Sequence, residues 1–299
     1  MKKFYTVDEY AELKGVNPKE PYRWAKSDKI KELKIASHPK LICEVNGTDA
    51  ETIAFMNLKG GAGKTTVSVN FAVLLSKLGF KVLVIDTDHQ NHCRLFFQEI
   101  EYEYSVVDAL KNPEKSKDYI YKAISGTAEI DILFSSYDLE LFADDFRDDN
   151  RLSQVIDNVK ADYDFIILDT SPAFNVISRN AAKAANSLII PLKPEPMHYE
   201  GMTHYLGALV MKTQIPKENI KGMVFNLVNE KAAQHNGYME VLREEYKDFC
   251  FESYIPQDVH IPKTVDLLMG IRTNIFYYKE KSRASQSLKQ FTWETLRRL

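Results

Sequence analysis

A glycine-rich loop between an apolar segment and a helical segment constrains the fold of this chain more than any other feature. The loop has a lysine at each end and consists of Lys59, Gly60, Gly61, Ala62, Gly63, Lys64, Thr65 and Thr66. Residues 53–58 before it are typical of a strand, and residues 67–78 after it are typical of a helix. Glycines let backbone N–H groups surround phosphate oxygens, because no Cβ blocks the approach. The segment is therefore predicted to bind phosphate, rather than to be a turn that binds nothing.

Two side chains of this loop are of the kind that binds a nucleoside triphosphate. Lys64 is expected to reach the β- and γ-phosphates, where its charge offsets theirs. The hydroxyl of Thr65 is expected to contact a bound Mg²⁺ ion. Together they predict ATP or ADP with Mg²⁺ as the ligands of the loop.

Carboxylates follow two later apolar segments, at the points where the predicted strands end. Asp86 follows residues 81–85, and Asp169 follows residues 165–168. Because ligands of an open parallel sheet bind beyond the carboxyl ends of its strands, both are expected beside the loop and near Mg²⁺. Asp86 is predicted to orient a water for attack on the γ-phosphate. Asp88 has two interpretations that stay open, support of Mg²⁺ or the phosphates and a helix N-cap.

From Glu51 onward, predicted strands and helices alternate along the chain. The strands are predicted at 52–58, 81–85, 130–134, 165–168, 187–190, 223–227 and 251–255. The helices are predicted at 64–78, 105–111, 151–160, 178–185, 200–213 and 235–247. Several strands are continuous apolar runs, which is typical of strands buried on both faces. The pattern predicts an α/β fold, a P-loop NTPase with a mostly parallel twisted sheet covered by helices on both faces.

Residues 1–46 are predicted to form a separate helix-turn-helix domain, joined by a linker at 47–51 to the domain at 52–299. Thr6 is placed as a helix N-cap, and Gly15 ends that helix in a tight turn. A second helix is predicted from Lys19 to Lys26, and the apolar segments after it are expected to form a small wing. The side chains predicted to contact DNA are Lys19, Tyr22, Arg23 and Lys26. The alternative is a small helical cap that binds no DNA.

Composition narrows the class of protein but does not decide it. Of the 299 residues, 44% are hydrophobic and 27% are charged, which suits a soluble globular protein. The net charge of −3 excludes a uniformly basic nucleic-acid binder but allows a local basic patch. The three cysteines have neither zinc nor disulfide spacing. With no secretory signal and no apolar run of membrane length, a cytoplasmic protein is expected.

Residues 51–299 resemble the ParA/MinD family of deviant Walker ATPases, and its partition ParA branch most closely. The matching segments occur in the family's order and are 59–66, 84–90, 167–172, 191–195, Glu200-Gly201 and Ile255-Pro256. Two departures stand out. The family usually has proline at the position of His89, and the segment 257–270 is slightly longer than the family pattern.

The resemblance implies a role for each matching residue. Lys59 corresponds to the signature lysine that crosses a dimer interface to the partner's phosphates, so Lys59, Lys64 and Asp86 are the expected catalytic residues. The loop from Gly60 to Thr66 is the expected nucleotide cradle. Asn226 and Pro256 are placed where the family holds adenine.

The ends of the chain carry the remaining expectations. The N-terminal segment resembles MerR-type or excisionase-type helix-turn-helix modules, whose second helix enters the major groove. Near the other end, a basic strip resembles the part of ParA dimers that binds DNA without sequence preference, and its candidates are Arg272, Lys281 and Arg283. An apolar stripe of Leu288, Phe291, Leu296 and Leu299 has two interpretations, packing on the core or a MinD-like membrane helix. Packing is favoured, so no stable membrane association is expected.

The main hypothesis is a cytoplasmic, nucleoid-associated partition ATPase with weak intrinsic hydrolysis. It dimerises on ATP, binds random DNA, responds to a ParB-type partner and reads an operator through its N-terminal module. The alternatives are a MinD-like positioning ATPase on membranes and a transcriptional regulator that uses ATP as a ligand. An iron–sulfur reductase is set aside because dispersed cysteines offer no ligand set. A small-molecule synthase is disfavoured by the N-terminal module.

Overall fold

The computed structural model describes residues 2–24, 30–35, 37–44 and 49–299. The strands are β1 (Lys3–Thr6), β2 (Ile30–Leu33), β3 (Leu41–Glu44), β4 (Glu51–Phe55), β5 (Val82–Thr87), β6 (Tyr121–Ser125), β7 (Ala128–Leu133), β8 (Phe165–Thr170), β9 (Ser187–Leu192), β10 (Ile220–Val228), β11 (Cys250–Pro256), β12 (Val265–Asp266) and β13 (Ile271–Arg272). The helices are α1 (Val7–Lys14), α2 (Glu20–Trp24), α3 (Lys64–Lys77), α4 (Val106–Lys111), α5 (Asp138–Asp145), α6 (Arg151–Val159), α7 (Val176–Ala184), α8 (Pro196–Tyr199), α9 (Met202–Thr213), α10 (Ala233–Tyr246), α11 (Ile275–Tyr278) and α12 (Arg283–Arg298).

The central sheet explains how distant motifs come together. Its strand order within the described residues is β11-β10-β9-β4-β8-β5-β7-β6. The neighbours pair in parallel, except that β6 pairs antiparallel with β7. β4 and β5 both pair with β8, and Asp86 lies directly opposite Asp169 in the β5–β8 register. The glycine loop after β4 therefore shares one edge of the sheet with both carboxylates, as predicted.

Apolar residues cover both faces of this sheet. In β4, Ile53 and Phe55 belong to the buried cluster on one face, and Ala54 belongs to the cluster on the other. α3 and α12 pack on the first face, while α4, α6, α7, α9 and α10 pack on the second. Because alternate strand residues point to opposite sides, a strand covered twice must be apolar throughout. The predicted α/β fold with a doubly covered sheet is confirmed.

Some elements differ from the prediction at their ends or are additional to it. Asn175 caps α7 by accepting hydrogen bonds from the N–H groups of Ile177 and Ser178, so this helix begins two residues before the predicted start. The helix predicted at 200–213 corresponds to α9, which begins after Gly201 at φ 84°, and the short α8 before Gly201 is additional to the prediction. β6 and α5 were not predicted, because a short edge strand and an eight-residue helix have weak sequence periodicity.

The N-terminal segment has the predicted helices and hairpin where they are described. Thr6 and Glu9 form a capping box at the start of α1, and Gly15 ends that helix at φ 63°. β3 pairs antiparallel with both β1 and β2, so the wing segments form a three-stranded sheet. Lys26 lies outside the described residues. The DNA-binding role of this helix pair stays a prediction.

The N-terminal segment packs against the central sheet and α12. The ring of Phe4 lies 6.4 Å from that of Phe80 and 6.3 Å from that of Phe165, and all three are buried. Nη2 of Arg297 donates to Oε1 of Glu9 at 2.6 Å, and Nη1 donates to the other carboxylate oxygen. Aromatic burial of this kind is the main source of stability at such a contact. The two predicted domains therefore share a core.

We expect Phe4→Ala to lower the free energy of unfolding by about 3 kcal/mol or more, because it leaves a cavity between two buried rings. Urea unfolding followed by circular dichroism measures the change. Leu13→Ala is the control, since Leu13 is 57% exposed on α1. This substitution is expected to lower the free energy of unfolding by about 0.5 kcal/mol or less. Equal decreases in the free energy of unfolding of the two variants would contradict a shared core.

The C-terminal apolar stripe packs on the core, which was favoured over a membrane helix. Leu288, Phe291 and Leu296 are each at most 1% exposed, and Phe291 contacts the rings of Phe55 and Phe251. Among the described helices, none has both the length and the apolar content needed to cross a bilayer.

Candidate nucleotide-binding site

The glycine loop follows β4, and its last three residues, from Lys64 to Thr66, are the first turn of α3. Gly61 and Gly63 have φ angles of 74° and 75°, a conformation that side-chain-bearing residues rarely adopt. A Cβ on Gly63 would lie only 2.3 Å from Nδ2 of Asn226. Glycine is therefore required at this position for its conformation and for the space it leaves.

Asn226 has a structural role that the sequence did not predict. Its Nδ2 donates to the carbonyl oxygen of Ala62 at 2.8 Å, and its side chain is 1% exposed. Through this hydrogen bond, the end of β10 holds the backbone of the loop in place. A contact between Asn226 and adenine stays a prediction.

The two lysines of the loop lie in different environments. Lys64 is 7% exposed, and burial lowers its pKa while the charges of Asp169 and Asp88 oppose that shift. The side chain of Lys59 is exposed, although its backbone N–H donates to Oδ1 of Asn57 at 2.9 Å. The loop therefore points one ammonium group inward and leaves the other available to a ligand or a second molecule.

Asp169 lies at the centre of a buried polar cluster under the loop. Thr65 donates through Oγ1 to Oδ2 of Asp169 at 2.7 Å, and Ser68 donates to Oδ1 at 3.0 Å. The thiol of Cys93 lies 3.3 Å from Oδ2 of Asp169, and its backbone N–H donates to Oδ2 of Asp86 at 3.2 Å. Ligand atoms of Asp86, Cys93 and Asp169 all lie within 4.8 Å of one another. The predicted metal contacts Thr65, Asp86 and Asp169 are thus brought together.

The charges in this cluster fit a divalent cation. Burial, and then the nearby charge of Asp169, raise the pKa of Asp86 well above its usual value. Burial also raises the pKa of Asp169, while hydrogen bonds from Thr65 and Ser68 and the charge of Lys64 oppose the shift. Two buried carboxylates and a hydroxyl are oxygen donors of the kind that Mg²⁺ prefers, whereas the Cys93 thiol is too soft for it.

Ser68 and Cys93 belong to the site although they were not predicted. Ser68 comes one helical turn after Thr65, a spacing that places both on the same side of α3. Cys93 had no distinguishing signal, because only the fold places residue 93 beneath Asp169.

The loop opens into a cavity of about 520 Å³, within the range of small-ligand sites. Its walls include Thr66, Gln90, Phe96, Leu227 and Pro262. A neighbouring cavity of about 480 Å³ shares Leu227, Ile261 and Pro262 with it. The first cavity joins the loop to apolar residues such as Phe96 and Ile261, whereas the second also has the charged residues Glu230, Asp258 and Arg283 in its wall.

Two prolines near the end of β11 differ in their position relative to the cavities. Pro256 is buried inside β11 and pairs with Val228 of β10. The proline at the wall of both cavities is Pro262. A contact between Pro256 and adenine stays a prediction.

Asp88 and His89 connect the site to α5. Asp88 lines the cavity, and its Oδ1 accepts the N–H of Gln90 at 3.1 Å. The following short helix begins after Asn91, so Asp88 is not its N-cap. His89 lies 3.7 Å from Asp88 through Nδ1 and 3.7 Å from Glu140 through Nε2.

The predicted DNA contacts are scattered over two parts of the surface. Lys19, Arg23 and Lys281 are exposed, and Tyr22 lies on α2. Arg23 lies 2.8 Å from Glu20, Arg272 lies 3.9 Å from Glu99, and Arg283 forms an ion pair with Glu230. To bind DNA, each of these arginines must give up its carboxylate partner for a phosphate. This exchange reduces the net free energy that the arginine contributes to DNA binding.

Comparisons with known proteins agree with this geometry. A family model described as an AAA domain (AAA_31) matches residues 50–222, more than half of the chain. The sporulation initiation inhibitor protein Soj of Bacillus subtilis (strain 168) is 28% identical over 216 residues, which cover 70% of this chain and 85% of that protein.

Two solved structures show the same fold. A Borrelia burgdorferi B31 protein, assigned to plasmid partition and bound to AMPPNP, has a TM-score of 0.72 at 22% identity, over 84% of this chain and 100% of that one. The cobyrinic acid a,c-diamide synthase of Mycobacterium smegmatis, with an ATP analogue and magnesium, has a TM-score of 0.70 at 20% identity, over 83% of this chain and 94% of that one. At such identities the likeness supports the fold, since one fold serves several functions.

Proposed function

This chain belongs to the ParA/MinD family of P-loop ATPases, and from that premise we propose that it segregates plasmid or chromosome DNA. In this proposal it binds ATP with Mg²⁺ and dimerises through Lys59. The dimer binds DNA without sequence preference and is released when a ParB-type partner stimulates hydrolysis. Its expected place in the cell is the nucleoid.

One observation carries the proposal most strongly. The buried Asp86 and Asp169 lie side by side beneath a loop with two lysines, one buried and one exposed. The buried lysine and the carboxylates suit phosphate and Mg²⁺ inside one subunit. The exposed Lys59 suits a phosphate presented by a second subunit. This arrangement links nucleotide binding to dimerisation, which partition requires.

The N-terminal segment supports a second DNA contact within the same proposal. Its helix pair is proposed to read an operator near the chain's own gene, with Lys19, Tyr22, Arg23 and Lys26 at the DNA. Phosphate contacts from lysine supply affinity, and contacts to base edges supply sequence preference. Because this segment packs on the ATPase core, operator binding and nucleotide binding are proposed to occur on parts of the chain that are in contact.

The test measures DNA binding by fluorescence anisotropy with ATP, ADP or no nucleotide. We expect the wild type to bind random duplex DNA with ATP at least about tenfold more tightly than with ADP, with a steep dependence on salt. We expect Lys59→Ala to lose this ATP-dependent binding but to keep its preference for DNA from the upstream region of its gene. Equal binding to random DNA in all nucleotide states would contradict partition.

A transcriptional regulator that uses ATP only as a ligand is the main alternative. The packing of the N-terminal segment on the ATPase core is equally consistent with such a regulator and with a partition ATPase that represses its own operon. It predicts operator binding with negligible hydrolysis even when a ParB-type protein is present. The membrane alternative is weaker, because the stripe proposed as its anchor is buried.

A further inference from the structure

A buried thiol lies among the carboxylates of the nucleotide site, although ATP hydrolysis with Mg²⁺ does not require a sulfur atom there. Sγ of Cys93 lies 3.3 Å from Oδ2 of Asp169, and ligand atoms of Cys93, Asp86 and Asp169 all lie within 4.8 Å of one another. All three side chains are fully buried. Across the residues that the structure describes, no other group of three His, Cys, Asp or Glu side chains meets so closely. We call these three residues the sulfur–carboxylate cluster.

Hydrogen bonds to the backbone hold the sulfur–carboxylate cluster in place. Oδ2 of Asp86 accepts the N–H of Cys93 at 3.2 Å, and Oδ1 accepts the N–H of Asp88 at 2.9 Å. Thr87 donates through Oγ1 to the carbonyl oxygen of Asp169 at 2.7 Å, which ties the end of β5 to the end of β8. The thiol and the two carboxylates are therefore ordered before an ion binds, as an effective metal site requires.

The spacing of the ligand atoms suits a tetrahedral zinc ion. Zn–S bonds of about 2.3 Å and Zn–O bonds of about 2.0–2.2 Å place neighbouring ligand atoms about 3.3–3.7 Å apart. The separation of Cys93 and Asp169, 3.3 Å, already has this value. Because all separations are below 4.8 Å, the others exceed tetrahedral spacing by about 1 Å at most. Three protein ligands leave the fourth position to water.

The charges around the sulfur–carboxylate cluster favour a divalent cation. Burial, and then the charges of Asp169 and Asp86, raise the pKa of the Cys93 thiol. The same negative charges attract a metal ion, and a thiol that coordinates a metal ion gives up its proton. Two more charged groups act on the cluster, Lys64, which offsets one negative charge, and Asp88, which adds one.

We propose that the sulfur–carboxylate cluster binds Zn²⁺ and that bound Zn²⁺ inhibits ATP hydrolysis. Mg²⁺ prefers oxygen ligands, whereas Zn²⁺ also binds thiolate, so the sulfur of Cys93 gives the cluster a preference for Zn²⁺. Zn²⁺ here occupies Asp86, which is predicted to activate the attacking water, and Asp169, which is expected to hold Mg²⁺. The inference rests on the ATPase site and on these two roles, and it does not depend on DNA segregation.

Binding is tested with Co²⁺ as a spectroscopic substitute for Zn²⁺, on the full chain without nucleotide or Mg²⁺. Thiolate bound to Co²⁺ gives an intense charge-transfer band in the near ultraviolet. We expect the wild type to develop this band with saturation at about one Co²⁺ per chain, and Zn²⁺ to remove it. Cys93→Ser, which replaces sulfur by oxygen, is expected to lose the band. Cys250→Ser is the matched control, because Cys250 is a buried thiol that donates to the carbonyl oxygen of Leu242, and it should keep the band.

Competition between the cobalt-loaded protein and Zn²⁺ gives the affinity for zinc. We expect Cys93→Ser to bind Zn²⁺ at least about tenfold more weakly than the wild type, since even the loss of a group that only orients a ligand costs about 10–100-fold in affinity. Cys93→Ala removes the sulfur by a different substitution and is expected to give the same result. Circular dichroism of each variant shows that it is folded.

Inhibition is measured by phosphate release with saturating ATP and Mg²⁺, with free Zn²⁺ fixed by a chelator buffer. We expect turnover of the wild type to fall at least about tenfold as Zn²⁺ saturates, because Asp86 is then unavailable to the attacking water. Cys93→Ser is expected to need at least about tenfold more free Zn²⁺ for the same fractional inhibition. Each variant is compared with its own turnover in Mg²⁺ alone, so a change in basal turnover does not enter the comparison.

Several outcomes would overturn the proposal. They are a wild type without the charge-transfer band, a band that survives in Cys93→Ser, equal zinc sensitivity of the wild type and this variant, and Zn²⁺ that binds without lowering turnover. The cobalt titration uses neither ATP nor DNA. Its failure would therefore leave DNA segregation standing, and a loss of ATP-dependent DNA binding would leave the zinc site standing.

Discussion

Asp86→Asn is expected to lower ATP turnover by about 100-fold or more, the usual size of a lost general-base contribution. Asp86 is fully buried at the end of β5, and its carboxylate accepts N–H groups of Asp88 and Cys93. Asparagine keeps only one of these hydrogen bonds, because its single amide oxygen can replace Oδ1 or Oδ2 but its NH2 group cannot accept an N–H. The amide cannot take a proton from an attacking water, and turnover falls for that reason.

The same variant is expected to bind ATP about as tightly as the wild type. Burial and the nearby charge of Asp169 raise the pKa of Asp86, so its ionised form is unfavourable in the free protein. A neutral amide removes that repulsion. Phosphate release measures turnover, and fluorescence of a labelled ATP analogue measures binding. Asp131→Asn is the control, because Asp131 bonds to Tyr163 away from the cavity. Turnover within threefold of the wild type would show that another group activates the water.

Alanine substitutions of the two loop lysines are expected to impair different steps, ATP binding for Lys64 and dimerisation for Lys59. Lys64→Ala should weaken ATP binding by about 100-fold or more, equivalent to about 2.7 kcal/mol, because it removes the buried charge beneath the phosphates. Lys59→Ala should leave the affinity of the monomer for ATP within about threefold, since the side chain is exposed at the outer end of the loop. It should abolish the ATP-dependent dimer instead.

Labelled-nucleotide titration and light scattering with a slowly hydrolysed ATP analogue separate these effects. Lys59→Arg serves as the conservative control and is expected to retain part of the dimer. Equal loss of nucleotide affinity in Lys59→Ala and Lys64→Ala would contradict a role for Lys59 across an interface.

The position of the site was predictable because local patterns and sheet geometry point to one edge. Strand, glycine loop and helix identified the phosphate end, and aspartates after apolar strands identified the carboxylates. Parallel strands must present their carboxyl ends together. The structure places Asp86 directly opposite Asp169 for this reason.

The residues that were missed depend on long-range contacts. Asn226 reaches Ala62 across 164 positions of the chain. Cys93 enters the cluster only because the segment after β5 folds back under Asp169. Pro256 and Pro262 look alike in sequence, and only the course of the chain after β11 places the second one at the cavity wall.

The sequence by itself determined the fold class and the phosphate loop with its two lysines, because these follow from short-range pattern and residue chemistry. The tertiary structure decided which lysine is buried, which proline lines the cavity and that the N-terminal segment shares a core with the ATPase. It also decided that the C-terminal stripe is buried while Leu267, Leu268 and Met269 are exposed. Both consist of large apolar side chains, and burial depends on what the rest of the chain packs against them rather than on their own composition.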